Sequence, residues 1–326
     1  MHQIDSSTIF NLLSYPDFIP FLREAFSGDS TVPERLHYTF GNGLGDIPST
    51  LLVMPAWQDG SYLGIKLVTL SPYNSDMGIP TLQGAYLLFS AKKGTPLALF
   101  DAKAITARRT AAKSAIAASF LARKNSETLL MVGTGTLSTE LIQAHCSVLP
   151  IRKVLIWEHT KGKGDEVIKR LPEMEQDFEV CNDLSEAVPK ADLISVATMS
   201  AEPLIKGRWL QPGQHLDMVG AYRTDMREAD DEALRRSSLY IDHNDAWGGT
   251  GELAIPLEEG VITRDDAKAT LFEMCRGEKE GRKNDGDITF FKSTGHALED
   301  LSAALFVYRQ LETNPNSGGH PTRSIH

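Results

Sequence analysis

The sequence predicts an α/β chain: a doubly wound parallel sheet over residues 116–304, beside a strand-rich α+β domain made from residues 1–115 and 305–326. Three observations carry this prediction. Short apolar runs alternate with helical segments from Glu127 onward, short apolar runs separated by turn clusters fill the first hundred residues, and one Ala-rich stretch joins the two patterns.

In the first hundred residues the apolar runs are Thr50–Met54, Leu63–Leu70, Tyr86–Phe89 and Leu97–Phe100. Gly41-Asn42-Gly43 and Lys92-Lys93-Gly94 separate them, and because Gly and Asn tolerate the backbone of tight turns, the runs read as antiparallel strands. Asp101–Lys124 is Ala-rich, opens on an acid and closes on basic residues, which is the composition of one long capped helix. Strand candidates then follow at Thr128–Val132, Val154–Trp157, Phe178–Val180, Leu193–Ala197, His215–Val219 and Leu239–Ile241, with helical segments at Ser138–Leu149 and Asp165–Leu171. Such alternation builds βαβ units and a parallel sheet. Ala297–Gln310 reads as an amphipathic helix, and the polar segment NPNSGGHPTRSIH after it is expected to fray.

Composition narrows the function. The chain has 326 residues, 41% hydrophobic and 23% charged, enough for about two domains at ~150 residues each. A net charge of −10 with no basic patch argues against a nucleic-acid partner. Cys146, Cys181 and Cys275 lie far apart, without CxxC or Cys/His spacing, so free thiols in the cytoplasm and no metal site are expected. No run approaches the ~18 apolar residues of a membrane span, and the first twenty residues lack an export pattern, so no membrane partner is expected either.

The strand Thr128–Val132 runs into Gly133-Thr134-Gly135-Thr136-Leu137-Ser138 and then a helix. Gly133 permits the tight turn, Gly135 lets backbone N–H groups approach a pyrophosphate, and the helix N-terminus adds its positive dipole end. Ser138 replaces the usual third glycine with another small residue. In this strand-turn-helix context the pattern reads as a Rossmann-type dinucleotide site rather than a plain βα turn, so NAD(H) or NADP(H) is expected. Glu158 ends the second strand where an acid bonds the ribose hydroxyls of NAD, whereas His159-Thr160-Lys161 just after it suit a 2′-phosphate. Glu158 tips the expectation towards NAD(H). Thr198 and Val219–Ala221 also follow parallel-strand candidates, where ligands of such sheets sit.

Several segments together resemble the ornithine cyclodeaminase/mu-crystallin family over nearly the whole chain. They are Val32-Pro33-Glu34-Arg35-Leu36-His37, Gly64-Ile65-Lys66, GIPTLQGAYLLF from Gly78, Ile105-Thr106-Ala107-Arg108-Arg109-Thr110-Ala111-Ala112, Met131-Val132-Gly133-Thr134-Gly135, Val219-Gly220-Ala221, Met226-Arg227-Glu228, Gly251-Glu252-Leu253 and FKSTGHALEDLSAA from Phe291. The resemblance implies a substrate-binding and dimerisation domain beside the Rossmann domain, and a homodimer. It implies that Arg35, Lys66 and Arg109 hold the carboxylate of a small imino or amino acid, a task that suits a guanidinium fork and an ammonium point charge. It also implies cofactor contacts at Thr81, Arg109, Thr136, Leu137, Glu158, Thr198 and Val219 through Tyr222, with Ser293 and Thr294 closing over nicotinamide and substrate.

One departure separates the reactions this family resemblance offers. Its cyclodeaminases and alanine dehydrogenases carry an Asp two residues after the glycine matching Gly220, whereas this chain has Tyr222. A phenol, with an ordinary pKa of about 10, donates protons and is a poor base near neutrality. The expectation is therefore an NAD(P)H-dependent reductase of a small cyclic ketimine carboxylate, such as Δ1-pyrroline-2-carboxylate or Δ1-piperideine-2-carboxylate, giving L-proline or L-pipecolate, with Lys66 and Tyr222 as catalytic candidates. The alternatives are ornithine cyclodeaminase, with Asp225 supplying the carboxylate, and a crystallin-like NAD(P)H-binding protein with little turnover.

Overall fold

The computed structural model describes residues 1–313; the segment expected to fray lies outside the described residues. The chain divides into two compact units, one of residues 1–109 and 296–313 and one of residues 110–295, so that the division falls within a single long helix.

In chain order the first unit holds β1 (His2–Ile4), α1 (Ser6–Leu12), α2 (Tyr15–Ser27), β2 (Leu36–Phe40), β3 (Ser49–Trp57), β4 (Tyr62–Leu70), β5 (Leu82–Ser90), β6 (Pro96–Asp101) and the start of α3 (Ala102–Leu121). The sheet order is β1-β6-β5-β4-β3-β2, antiparallel from β6 to β2 as expected, with β1 added parallel to β6. Asp101 caps α3 by accepting from the N–H groups of Lys103 and Ala104. The helices α1 and α2 are additions to the strand-rich reading. Tyr15, Phe18, Ile19, Leu22 and Phe26 form a buried helical stripe in α2, but Pro16 and Pro20 interrupt the pattern in the sequence.

The second unit continues through β7 (Thr128–Val132), α4 (Thr136–Val148), β8 (Lys153–Trp157), α5 (Lys163–Arg170), β9 (Asp177–Cys181), α6 (Leu184–Ala187), β10 (Leu193–Val196) and β11 (His215–Met218). It ends with α7 (Asp231–Arg235), β12 (Ser238–Ile241), α8 (Gly251–Glu258), β13 (Ala267–Thr270), α9 (Leu271–Cys275) and β14 (Thr289–Lys292). All eight strands are parallel, in the order β13-β12-β14-β11-β10-β7-β8-β9. The chain reverses its winding between β7 and β10, and in sheets of this kind ligands bind at the carboxyl ends of the strands at such a switch point. One face of the sheet packs a continuous apolar core of Leu130, Val132, Ile194, Val196, Leu216 and Met218.

The last helix, α10 (Ala297–Thr313), returns to the first unit. It packs on α2, where Phe306 meets Phe18 and Phe21 edge-on, and on β3, β4 and β5.

Candidate active site

Two clusters hold the residues singled out by sequence, one in each unit. In the first unit, β4 carries Lys66 and α3 carries Arg109, and both side chains are buried. Buried charges need partners, and α10 supplies them. Lys66 Nζ donates to Asp300 at 2.8 Å, while Arg109 donates from Nε to Asp300 at 3.1 Å and from Nη1 to Glu299 at 2.5 Å. Lys66 also reaches the Thr106 hydroxyl at 3.4 Å. Burial lowers the Lys66 pKa against the pull of Asp300, whereas at Arg109 the two carboxylates outweigh burial and raise it. Burial opposes the charged form of Asp300 too, but Arg109 and Lys66 outweigh it and hold the carboxyl below its usual range.

Arg35 keeps an exposed side chain just ahead of β2, yet partial desolvation and the charge of Arg109 lower its pKa, with Asp300 opposing. Three cations therefore share this neighbourhood with two carboxylates, an excess of one positive charge. The guanidinium of Arg109 presents no free fork. One nitrogen of each of its hydrogen-bonding edges is already bound to α10, which leaves Nη2 for a ligand.

Gly64, two residues before Lys66, is fixed by packing. A Cβ there would overlap the Tyr86 hydroxyl on β5, which lies buried with no hydrogen-bond partner among the described residues. Thr81, just before β5, is half-buried, and its carbonyl accepts from Ser71 N–H at 2.9 Å.

In the second unit the other candidates gather at the carboxyl ends of neighbouring parallel strands. Gly133 follows β7, Glu158 follows β8, Thr198 lies just past β10, Val219 follows β11 and Ser293 follows β14. Gly133 has φ +116°, and a Cβ there would stand 2.6 Å from the Ala197 carbonyl, so the turn requires glycine twice over. Nothing would meet a Cβ at Gly135, which leaves the start of α4 open to a ligand. Thr136 is exposed and Leu137 half-buried there, and Ser138 tucks its hydroxyl onto the Gly135 carbonyl at 2.7 Å. Glu158 is buried, and its Oε2 accepts from Gly164 N–H at 2.8 Å at the start of α5. These features fit a dinucleotide.

The turn after β11 is held from within. Lys292 Nζ donates to the Gly220 carbonyl and Thr250 Oγ1 to the Ala221 carbonyl, and Ala221 takes a left-handed φ of 48°. Tyr222 is 52% exposed, and its hydroxyl makes no hydrogen bond among the described residues. Asp225 is paired bidentately with Arg223, at 2.9 and 2.6 Å, in an exposed ion pair.

Beside this turn Glu228 Oε1 accepts from Thr198 N–H at 2.6 Å and from Thr198 Oγ1 at 2.7 Å. Burial, reinforced by Glu252 and opposed by Lys292, pushes the Glu228 carboxyl up to about 8. The Thr294 hydroxyl is engaged by Asp242 at 2.9 Å and by His243 Nε2 at 3.0 Å, and Asp242 also pairs with the fully buried Lys113 at 2.8 Å. Ser293 is buried, and its hydroxyl has no partner among the described residues. Sequence reasoning missed Glu299, Asp300, Glu228, Lys292, Asp242 and Lys113. Buried charge was the available signal for Lys113, set in an Ala-rich helix, and for Lys292, which ends an apolar strand.

Among the described residues no helix is long and apolar enough to cross a membrane, and no cluster of three or more His, Cys, Asp or Glu could hold a metal.

Comparison with known proteins finds relatives over nearly the whole chain. The chain is 36% identical over 300 residues to a Delta(1)-pyrroline-2-carboxylate reductase of Paracoccus denitrificans, covering 91% of this chain and 93% of that one. The Delta(1)-pyrroline-2-carboxylate reductase of Thermococcus litoralis, solved with NADH and L-proline, matches with a TM-score of 0.87 and 33% identity, covering 97% of this chain and 98% of that one. An archaeal alanine dehydrogenase dimer with bound NAD matches with a TM-score of 0.87 and 29% identity, covering 97% of each chain. The family model for ornithine cyclodeaminase/mu-crystallin spans residues 17–314, and the chain belongs to the ornithine cyclodeaminase/mu-crystallin family.

Proposed function

We propose that the chain is an NADH-preferring reductase of a small cyclic ketimine monocarboxylate, taking Δ1-pyrroline-2-carboxylate or its six-membered homologue to L-proline or L-pipecolate. The observation that carries this reading is Tyr222, which stands where the cyclodeaminases of the family have Asp, while Asp225 is paired with Arg223 at the surface. Ornithine cyclisation needs a base to move protons as ammonia leaves, whereas reduction of an imine needs no leaving group.

In this reading Arg35, Lys66 and Arg109 hold the substrate carboxylate, and their single excess positive charge matches a monocarboxylate. Arg109 contributes through Nη2, and its bonds to Glu299 and Asp300 fix its plane before substrate arrives. Lys66, whose ammonium is weakened by burial, and Tyr222 are the proton donors proposed for the imine nitrogen. Ser293 and Thr294 border the nicotinamide, with Thr294 anchored by Asp242. The bound coenzyme supplies the hydride. Glu158 gives the preference for NADH, because a buried carboxylate beside the adenosine ribose repels a 2′-phosphate.

The exposed apolar side chains on the edge strand β2 and the loop after it, among them Leu36, Tyr38, Phe40, Leu44 and Ile47, support a homodimer built on the first unit. A reducing compartment, the cytoplasm, suits the three free cysteines.

The test follows NADH and NADPH absorbance with Δ1-pyrroline-2-carboxylate, beside a separate assay for ammonia released from L-ornithine with NAD. Imine-dependent oxidation of NADH in preference to NADPH is expected. Ammonia release without imine reduction would overturn the reductase in favour of the cyclodeaminase, and silence in both assays would favour a binding protein.

A further inference from the structure

The second unit carries a buried charge cluster that the reaction itself does not use. Lys292 on β14, Glu228 ahead of α7 and Glu252 on α8 are each fully buried, and they sit directly behind the turns that follow β10 and β11. Each grips backbone. Glu252 accepts from the N–H groups of Glu228 and Ala229, at 2.7 and 3.0 Å, which fixes where Glu228 stands. Glu228 in turn takes both the N–H and the hydroxyl of Thr198, while Lys292 takes the carbonyl of Gly220.

The fit is tight on both sides. A Cβ at Gly220 would overlap Glu228 Oε1 and the Thr198 carbonyl. With the carbonyls of Gly220 and Ala221 turned inward onto Lys292 and Thr250, the Val219 carbonyl and the Ala221 N–H carry no backbone hydrogen bond among the described residues.

We propose that Glu228 and Lys292 are positioning residues that latch the turns at Thr198 and Val219–Tyr222 in the form that receives the coenzyme. The proposal rests on the reading of these turns as coenzyme contacts. The latch acts on coenzyme affinity and leaves the carboxylate-holding cations alone, so its loss raises the NADH dissociation constant while the imine KM at saturating NADH stays nearly constant. The hydrogen bonds to Thr198 need an acceptor oxygen at Glu228, and an amide retains one.

The experiment titrates NADH fluorescence against the full chain and the variants Glu228→Met, Glu228→Gln, Lys292→Met and Tyr222→Ala, with imine kinetics at saturating NADH and apo-protein Tm beside it. Glu228→Met and Lys292→Met are expected to weaken NADH binding at least tenfold with the imine KM within about threefold of the parent, and Glu228→Gln to restore most of that loss. Loss of Tm and of activity in Glu228→Met and Glu228→Gln alike, with no rescue by the amide, would overturn the latch and leave a purely structural cluster. Where Glu228→Met does not fold, Lys292→Met against Glu228→Gln decides by the same split. A weakened Tyr222→Ala beside unchanged latch variants would refute the latch and leave the coenzyme reading of the turn intact. Unchanged NADH binding in all four would refute that reading as well.

Discussion

Asp300→Asn tests the cation cluster of the first unit most directly. In the parent, Asp300 is the carboxylate on Lys66 at 2.8 Å and one of two on Arg109, which keeps Glu299 when Asp300 is lost. Lys66 is left with the Thr106 hydroxyl at 3.4 Å and whatever the new amide oxygen offers. Removing one partner of a buried pair costs about 3–5 kcal/mol, and the retained oxygen and Glu299 place this case near 3 kcal/mol. At roughly 1.5 °C per kcal/mol for a chain of this length, that is a fall of about 4–5 °C in Tm.

Differential scanning fluorimetry of the apo protein reads this fall directly. Two further signatures follow from the charges. Asparagine leaves one more positive charge uncompensated, so added L-proline raises the Tm of the variant more than that of the parent, by the linkage of ligand binding to stability. Loss of Asp300 also lowers the Lys66 pKa beyond what burial does, so the deficit shrinks as pH rises and Lys66 sheds its proton. A Tm within about 1 °C of the parent, on the order of less than 1 kcal/mol, would refute the claim that Asp300 holds the two cations. Equal stabilisation of both proteins by L-proline would refute the claim that their excess charge meets the ligand.

Other expectations are as specific. Gly64→Ala forces Tyr86 and β4 apart and should cost about 1–3 kcal/mol, read as a lower midpoint in urea unfolding; an unchanged midpoint would mean that the ring moves aside freely. Glu158→Gln removes the charge beside the adenosine ribose and should shift the NADPH-to-NADH ratio of kcat/KM upward by about tenfold, or ~1.4 kcal/mol; an unmoved ratio would place the ribose elsewhere. Burial holds His215 neutral, with its pKa lowered to about 3 against opposing help from Asp217. The folded pKa lies below the unfolded value of about 6.5, so this contribution is present above that pH and is lost as pH falls towards 3, at up to about 1.4 kcal/mol per pH unit. Urea unfolding at a series of pH values should show His215→Asn losing less stability than the parent below about pH 6, and parallel curves would contradict the assignment. Arg109→Ala should raise the imine KM and lower kcat/KM by at least about tenfold, or ~1.4 kcal/mol, and an unchanged kcat/KM would remove Arg109 from the site.

The sequence by itself determined what is local. Alternation of apolar runs with turn clusters, the Gly133–Gly135 turn between strand and helix, and the helix after Asp101 each depend on neighbours a few residues apart, so the antiparallel strands, the parallel βαβ units and the glycine turn between β7 and α4 are legible in the sequence. The helical stripe of α2 was obscured because Pro16 and Pro20 read as breakers, although Pro16 sits in the first turn, where its missing N–H costs nothing. The last strand, β14, wedges between β11 and β12, and no local pattern states where the final strand of a sheet inserts.

Charge pairing was decided by the tertiary structure alone. Lys66 finds Asp300 across 234 residues and Arg109 finds it across 191. In the sequence Glu299 and Asp300 are two acids in the first turn of a helix, where the dipole favours them whatever they touch. Whether a lysine or glutamate is solvated or buried depends on what the fold brings against it. Folding alone converts Lys292 and Glu228 from ordinary surface residue types into supports for a turn.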